Sequence, residues 1–302
     1  MIETLRHRLP HGIELSCRVS GTPGRPVLLF LHGFPQAAFA WDDLLDHFAQ
    51  PEHGGYRCVA PNLRGFADSS QPAEVSDYRA KHLAQDVLAL IDAESDGAPL
   101  AALVAHDWGG AVAWNLANLH PQRLTRLVIV NSPHPGLFWR ALRDNPEQQA
   151  ASAYMNFLVR PDAEALLSRN RFEKLWSFAF SEVSAADQAH WLHDDLRQHH
   201  LAVWSQGLSG GLNYYRASPL RPATPQDPGA RGVDLPDSMW RIDVPTWVLW
   251  GLRDRALLPC LLEGLHDHVP HLEVRTHDEA SHWIVHEQPR WVIAQMAEFL
   301  QS

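Results

Sequence analysis

Short runs of apolar residues recur along this chain, and they constrain its fold more than any other feature. In Val27–Leu31 every residue is apolar, rather than every second one. Continuous apolarity is typical of a strand that is covered on both faces, as in a parallel sheet. Stretches with helical spacing separate most of the runs, which predicts an α/β fold with a mostly parallel, doubly wound sheet. The other runs are Arg57–Ala60, Leu100–Ala105, Leu124–Val130, Thr246–Trp250 and a weaker one at Leu272–Arg275, and the helix-like stretches include 81–93, 109–119 and 289–300.

The alternation of strand and helix stops between about residues 133 and 240. This stretch is helix-like and rich in Trp, His and Gln, and its final part contains several prolines. Such a proline-rich part cannot be a regular helix or an inner strand. The strand pattern returns near Val244. We therefore predict a core domain made of residues 1–132 and 241–302, into which residues 133–240 are inserted as a helical cap.

The composition argues against several classes of function. The chain has 302 residues, of which 45% are hydrophobic and 20% charged, as in ordinary soluble proteins. A net charge of −10 and the lack of a basic run argue against a nucleic-acid partner. No window reaches the roughly 18 apolar residues of a membrane span, and the polar N-terminus does not resemble a signal peptide. Three dispersed cysteines fit a reducing compartment, so we expect a cytoplasmic protein.

The strongest local signal surrounds Asp107. An apolar run ends at Ala105, and Asp107 and Gly109 then lead into a helix-like stretch. Small residues two before and two after the aspartate suit a sharp strand-to-helix turn, where its carboxylate would also face a helix dipole. An ordinary helix cap is the alternative, but it does not require small residues on both sides. We therefore predict that Asp107 is a nucleophile, in the position that serine occupies in serine hydrolases.

A second segment matches the same turn only in its letters. Residues 207–211 read GLSGG, with Ser209 at the centre. The segment follows a polar, helix-like stretch and not a strand, and no apolar helix comes after it. We therefore predict that it is a loop without a nucleophile.

The base and the acid of the site are predicted from the chain order nucleophile, acid, histidine. His282 lies after the last predicted strand and before the last predicted helix, which is the expected place for the base. The chain has 19 histidines, and His277 and His286 are close competitors, so only position favours His282. Asp254 comes just after the Thr246–Trp250 strand, where an acid would orient the histidine and stabilise its charge.

Two other aspartates were weighed for the role of acid. Asp243 precedes the Thr246–Trp250 strand and would therefore lie at the wrong edge of the sheet. Asp278 follows the last predicted strand and is kept as a reserve candidate. Asp254 remains the prediction.

Two backbone N–H groups complete the predicted site. An oxyanion hole in this type of site takes one N–H from the loop after an early inner strand and one from the residue after the nucleophile. These residues are Phe34, in the HGFP segment, and Trp108. An ordinary turn would also explain HGFP, but its combination with Asp107 favours the functional interpretation.

Histidines and aspartates also cluster in the predicted cap, yet we predict neither a metal ion nor another cofactor. No recognised spacing of metal ligands is present, and a solvated helix face explains the cluster. Its members are His193, Asp194, Asp195, His199 and His200.

Taken together, these motifs resemble the α/β-hydrolase epoxide hydrolases, with haloalkane and haloacetate dehalogenases as relatives. The resemblance covers almost the whole chain, through HGFP, PNLRGFADSS, HDWGG, GLRD and the late ASHW. It implies the α/β-hydrolase fold and a carboxylate nucleophile. Epoxide hydrolases of this family carry two cap tyrosines, and the resemblance assigns them to Tyr154 and Tyr215, with the adjacent Tyr214 ranked lower.

A chemical argument supports an acid role for these tyrosines. A carboxylate that attacks saturated carbon leaves an alkyl ester on the enzyme. A departing halide needs only N–H donors, whereas an epoxide releases a strongly basic alkoxide that needs an acid. Phenols with an ordinary pKa of about 10 stay protonated at pH 7 and can donate. The alternative is that Tyr154 and Tyr215 are packing residues of the cap.

The motifs therefore predict an epoxide hydrolase that converts a small, apolar epoxide and water into a vicinal diol. Haloalkane dehalogenases usually carry Asn in place of Phe34, and haloacetate dehalogenases carry Arg in place of Trp108 and Ala111. A non-catalytic binding protein on this fold is a further alternative, but it would not need a nucleophile, a base and an acid together.

The sequence leaves the identity of the epoxide, the selectivity and the oligomeric state open, a homo-oligomer included. It also does not separate pocket lining from cap packing for five aromatic residues. These are Trp108, Phe138, Trp139, Trp176 and Trp204.

Overall fold

The computed structural model describes residues 1–180, 190–236, 238 and 240–301. Its strands form one eight-stranded sheet. The strands are β1 (Glu3–Arg8), β2 (Glu14–Ser20), β3 (Val27–Leu31), β4 (Arg57–Pro61), β5 (Ala102–His106), β6 (Leu127–Val130), β7 (Thr246–Gly251) and β8 (Leu272–His277).

The order of the sheet is β1-β2-β4-β3-β5-β6-β7-β8. Strand β2 pairs antiparallel with β1 and β4, and every other pairing is parallel. The predicted α/β fold with a mostly parallel sheet is therefore confirmed. Since parallel strands end at the same edge, the loops after β3, β5, β6 and β7 meet at one side of the sheet, which is where ligands bind in such folds.

Burial on both faces explains the continuous apolar runs. Strands β3, β4, β5, β6 and β7 are buried at every position. In β5, Leu103 and Ala105 pack into one core cluster, and Ala102 and Val104 pack into another on the opposite face. Strand β8 lies at the edge and is only half-buried, which accounts for its weaker sequence signal.

Helices cover both faces of the sheet and make up most of the segment between β6 and β7. None of the helices in the described ranges is both long and apolar enough to cross a membrane. The helices are α1 (Asp42–Phe48), α2 (Ala80–Ser95), α3 (Trp108–Leu119), α4 (Pro135–Asp144), α5 (Pro146–Ala151), α6 (Tyr154–Leu158), α7 (Ala163–Leu167), α8 (Arg169–Phe180, interrupted at 170–172), α9 (Asp194–Trp204), α10 (Ser209–Ala217), α11 (Ile284–Glu287) and α12 (Pro289–Gln301).

The segment between β6 and β7 packs over loops at the carboxyl ends of the strands. The indole N–H of Trp204, in α9, donates to the backbone carbonyl of Pro35 at 2.7 Å. Helices α4 to α10 all lie in this segment, as expected for the predicted cap. Residues 181–189, 237 and 239 of the predicted cap lie outside the described residues. The division into a core domain and a cap at 133–240 stays a prediction.

The prediction for the GLSGG segment is wrong in one respect. Ser209 is the first residue of α10 and does not lie in a loop. The carboxylate of Glu164 accepts the N–H groups of Leu208 and Ser209, at 2.8 and 3.1 Å, and the Ser209 hydroxyl. A carboxylate at this position accepts from N–H groups that lack partners within the helix. Its negative charge also interacts favourably with the positive end of the helix dipole. Helix α9, and not a strand, precedes the segment, so it is not a nucleophile turn.

Candidate active site

Asp107 occupies a sharp turn between β5 and α3. Its backbone has φ 50° and ψ −122°, a conformation that non-glycine residues rarely adopt. A Cβ atom on Gly33 would collide with the Asp107 side chain, and one on Gly109 would collide with the carbonyl of Leu31. The small residues around Asp107 are therefore needed because the backbone of three segments converges there.

The Asp107 carboxylate is held by backbone donors. The N–H of Phe34 donates to its Oδ1 atom at 2.8 Å, and the N–H of Trp108 also favours the ionised form. Removal from bulk water raises the pKa of Asp107 above its ordinary value, while nearby His282 and the two N–H groups oppose this shift. The two residues predicted from sequence to form an oxyanion hole thus both lie against the same carboxylate.

His282 lies between two carboxylates. Its Nδ1 atom is 2.7 Å from Oδ2 of Asp254, and its Nε2 atom is 3.8 Å from Oδ2 of Asp107, which is too long for a hydrogen bond. Burial by itself lowers the pKa of His282, but the charges of Asp254 and Asp107 outweigh burial and raise it to about 9. The ring can therefore act as a proton acceptor next to Asp107 only when it is neutral.

Asp254 is fully buried and saturated with hydrogen bonds. Its Oδ1 atom accepts the N–H groups of Ala256 and Leu257, both at 2.9 Å. Its Oδ2 atom accepts from His282 and, at 2.8 Å, from the amide of Asn131. These four donors fix the orientation of the carboxylate, which in turn orients the histidine ring.

Sequence reasoning missed two buried polar residues of this network. Asn131 directly follows β6, and besides binding Asp254 it accepts the N–H of Gly251 at 2.9 Å. His106 ends β5, and its Nε2 atom lies 2.9 Å from the backbone carbonyl of His282, so it donates there. A polar residue at the carboxyl end of a buried strand was the available signal for both.

The two predicted tyrosines lie together beside Asp107. Tyr154 begins α6 and Tyr215 lies in α10, and their ring centroids are 6.3 Å apart. Burial and the charge of Asp107 raise the pKa of both phenols, so both remain protonated donors. The adjacent Tyr214 differs, because its hydroxyl donates to the carbonyl of Arg64 at 2.9 Å.

A cavity of about 440 Å³ contains these groups. It is lined by Asp107, His282 and both predicted tyrosines, and charged side chains such as Arg253 also reach it. The cavity therefore brings the predicted nucleophile, base and acids to one space.

A second, smaller cavity of about 80 Å³ is also lined by this carboxylate. Asp107, Tyr154 and Tyr215 line this cavity too, but the rest of its wall is mostly apolar. A third cavity of about 250 Å³ shares Ala111 and Leu220 with the second. Apolar space thus extends away from the reactive groups.

The five aromatic residues for which the sequence allowed either pocket lining or cap packing divide between these two roles. Trp108 and Phe138 line the second cavity. Trp139 donates its indole N–H to the carbonyls of Ala230 and Val233, at 3.1 and 3.0 Å, and so joins parts of the predicted cap. Trp176 packs against Trp204 with ring centroids 4.5 Å apart.

The polar cluster of the predicted cap serves packing and capping. His193 accepts the N–H of Leu196 at 3.3 Å at the start of α9. His200 is buried and packs edge-on against Phe39. Among the described residues, no group of three or more His, Cys, Asp or Glu side chains is arranged to hold a metal ion.

Comparison with known proteins identifies the family of this chain. Residues 26–289 match the family model described as the alpha/beta hydrolase fold. The chain is 32% identical to the AB hydrolase superfamily protein YfhM of Bacillus subtilis over 97% of this chain and 96% of that protein. It is 31% identical to epoxide hydrolase 3 of Xenopus tropicalis, over 96% of this chain and 76% of that protein. A crystal structure of the Bacillus megaterium epoxide hydrolase with an inhibitor superposes with a TM-score of 0.86 at 29% identity, over 99% of this chain and 100% of that one. The chain is therefore a hydrolase of the alpha/beta hydrolase fold family and belongs to its epoxide hydrolases.

Proposed function

We propose that this protein opens an apolar epoxide to a vicinal diol through a covalent ester on Asp107. The observation that carries the proposal is the shared cavity, in which one carboxylate faces two protonated phenols, Tyr154 and Tyr215. A carboxylate can attack a ring carbon while a phenol donates to the ring oxygen. Membership in a family whose named relatives include several epoxide hydrolases supports the same reaction.

In the first step, Asp107 attacks one epoxide carbon and the bond from that carbon to the ring oxygen breaks. The ring oxygen takes a proton from Tyr154 or Tyr215, so that it leaves as a hydroxyl group and not as an alkoxide. No base is required, because the attacking carboxylate is used in its ionised form. The product of this step is an alkyl ester of Asp107.

In the second step, His282 removes a proton from water, and the resulting hydroxide attacks the carboxyl carbon of the ester. The N–H group of Phe34 already lies 2.8 Å from Oδ1 of Asp107, so it is in position to stabilise an oxyanion on that carbon. One such donor contributes about 3–4 kcal/mol in known cases. The bond between the carboxyl carbon and the ester oxygen then breaks, the departing oxygen takes the proton of the added hydroxyl group, and the diol leaves. Asp107 is regenerated as a carboxylate, and the proton held by His282 returns to the tyrosinate left by the first step.

The electrostatics of the site fit this order of events. The negative charge of Asp107 is one cause of the high pKa of His282, about 9. Formation of the ester removes that charge, and the pKa of His282 should then fall. The histidine would therefore become a neutral base at the stage that needs one.

The difference in polarity between the two cavities lined by Asp107 supports an apolar substrate. The second cavity has a mostly apolar wall and continues towards the third. An alkyl or aryl substituent would gain free energy there by leaving water. The cavity of about 440 Å³ is more polar and contains His282, so it suits the water molecule of the second step.

A product assay with a panel of substrates tests the proposal. Purified protein is incubated separately with aryl and alkyl epoxides, with haloalkanes and with fluoroacetate. We expect vicinal diols from epoxides and little halide from the other compounds. Halide release without diol would favour a dehalogenase, and no turnover of any compound would favour a binding protein.

A further inference from the structure

Helix α10, which carries Tyr215, lies in direct backbone contact with a loop of the core. A Cβ atom on Gly210 would collide with the backbone of Gly65, and one on Gly65 would in turn approach the backbone of Gly210 too closely. Gly65 belongs to the PNLRGFADSS segment, which begins at the last residue of β4. The glycines of the GLSGG segment therefore let the helix approach the core closely, where a larger side chain would hold it away.

Tyr214 adds a directed bond to this glycine contact. Its side chain is buried, and its hydroxyl donates to the backbone carbonyl of Arg64 at 2.9 Å. Its ring also packs edge-on against Trp108, with centroids 5.7 Å apart. The residue thus joins α10 both to the core loop and to the turn that carries Asp107.

The residue that accepts this hydrogen bond is itself held firmly. The guanidinium of Arg64 binds both carboxylate oxygens of Asp86, at 2.8 and 2.6 Å, and donates to the carbonyl of Asp77 at 2.7 Å. His11 lies 2.7 Å from the same Asp86 carboxylate. Arg64 and Asp86 are both buried, and a buried, hydrogen-bonded ion pair is costly to separate. The carbonyl of Arg64 is therefore a fixed point of the core.

We propose that Tyr214 is a positioning residue that fixes the hydroxyl of Tyr215 relative to Asp107, an inference that rests on the proposed function. Successive residues on an α-helix point about 100° apart. Tyr214 therefore binds the core loop while Tyr215 faces the cavity. The Tyr215 hydroxyl lies at the end of a long side chain, so a small rotation of α10 moves it appreciably. A misplacement of about 1 Å can slow a reaction by up to about 100-fold.

Replacement of Tyr214 by Phe tests this role, because it removes the hydroxyl and keeps the ring. Alkylation and ester hydrolysis are measured separately in single-turnover experiments with styrene oxide and 1,2-epoxyhexane. We expect Tyr214→Phe to slow alkylation by about 10-fold and to leave ester hydrolysis unchanged within experimental error. A residue with a merely structural role would not separate the two steps.

Thr246→Val is the matched control. The Thr246 hydroxyl is also buried and donates to a backbone carbonyl, that of Val244, at 2.7 Å. It lies at the start of β7, at the end of the sheet away from Asp107. Both variants should lose thermal stability, but only Tyr214→Phe should lose alkylation rate. Equal effects on both steps, an unchanged alkylation rate, or the same slowing in Thr246→Val would overturn the proposal.

A crystal structure of Tyr214→Phe provides a readout that does not depend on turnover. We expect α10 to be rotated or shifted and the Tyr215 hydroxyl to be displaced from Asp107 relative to the wild-type enzyme. If the wild-type enzyme opens no epoxide, the proposed function fails, and this displacement alone decides the positioning role. An unchanged Tyr215 hydroxyl would contradict it.

Discussion

The core and the predicted cap contribute different kinds of group to the same cavity. From the core come Asp107, Asp254 and His282, which are ionisable and stand in loops that follow the strands. From the predicted cap come Tyr154 and Tyr215, which are protonated phenols on helices. The proposed mechanism assigns them different tasks: core groups make and break the covalent bond, and cap groups assist the departing oxygen. Loss of a core group should therefore stop the reaction, whereas loss of a cap group should slow one step.

The largest effect is expected from Asp107→Ala. Without the carboxylate no ester can form, and loss of a nucleophile lowers turnover by about 10⁶-fold in a known hydrolase. We expect no measurable diol and no covalent adduct by intact-protein mass spectrometry. Asp243→Ala is the control, because Asp243 is exposed and paired with Arg241 at 2.8 Å. Turnover of Asp107→Ala close to the wild-type value would show that the core does not supply the nucleophile.

His282→Gln should separate the two covalent steps. Attack by Asp107 needs no base, so part of the alkylation rate should survive, whereas ester hydrolysis should fall by about 10²–10⁴-fold. The enzyme should accumulate a mass equal to protein plus substrate, and peptide mapping should locate it on Asp107. His277→Gln, at a nearby competitor position, is the control and should turn over normally.

Two outcomes would count against this scheme. An inactive His282→Gln enzyme that never gains mass, across several reactive epoxides, would favour direct attack of water on the epoxide. An adduct on Ser209 would mean that the nucleophile lies in the predicted cap and not in the core. Either result would break the division of labour between the two regions.

Removal of the cap hydroxyls should have a smaller effect. We expect Tyr154→Phe and Tyr215→Phe each to slow alkylation by about 10- to 100-fold, and the double variant to be nearly inactive, because the alkoxide would leave without a proton. Ester hydrolysis should be unaffected in single-turnover measurements. Tyr56→Phe, a half-buried tyrosine that packs on Phe48, is the control. Normal epoxide opening by the double variant would remove the cap from the mechanism.

These two regions also differ in how far the sequence predicts them. Asp107, Asp254 and His282, which the sequence predicts as the reactive residues, lie together in the structure because a strand end fixes which edge of the sheet a residue reaches. Asn131 also lies at the end of a buried strand, but the sequence analysis did not single it out. Its amide donates to Asp254, and no sequence motif assigns a function to that position. The core positions were therefore accessible from local pattern and chain order.

The predicted cap is harder to predict from sequence, because contacts between residues distant in sequence decide its geometry. The helix start at Ser209 depends on Glu164, which lies 45 residues earlier in the chain. The choice between Tyr214 and Tyr215 depends on the rotation of α10, which is set where Gly210 meets Gly65. The local sequence can suggest a helix or a loop, but it does not show that Glu164 and Gly65 are the contacting residues.

A pH effect should distinguish the free enzyme from the ester intermediate. The pKa of His282 is about 9 while Asp107 is ionised, and the ester lacks that charge. We expect the rate of ester hydrolysis to rise with pH through an inflection clearly below 9. An NMR titration of His282 in the free enzyme gives the reference value. Equal values for the two states would show that Asp107 and His282 are not electrostatically coupled.

The smallest effect concerns stability. The folded protein raises the pKa of His282 from an ordinary 6.5 to about 9, so the protonated ring stabilises the fold fully below pH 6.5. This contribution is lost as the pH rises from 6.5 through 9. The Tm of the wild-type enzyme should therefore fall relative to the Tm of His282→Gln as the pH rises over this range. A difference that is constant with pH would contradict the raised pKa.

The crowded turn at Asp107 has a consequence for how the enzyme can evolve. Gly33 and Gly109 leave no room for a side chain, so random substitution there should yield misfolded protein more often than altered activity. The wall of the second cavity tolerates more change, because residues such as Met155 and Leu220 come from helices and loops of the predicted cap. A mutational scan should accordingly find new substrate preferences concentrated in the cap side of the cavity. Substrate preference could then change without disturbing the backbone that holds Asp107.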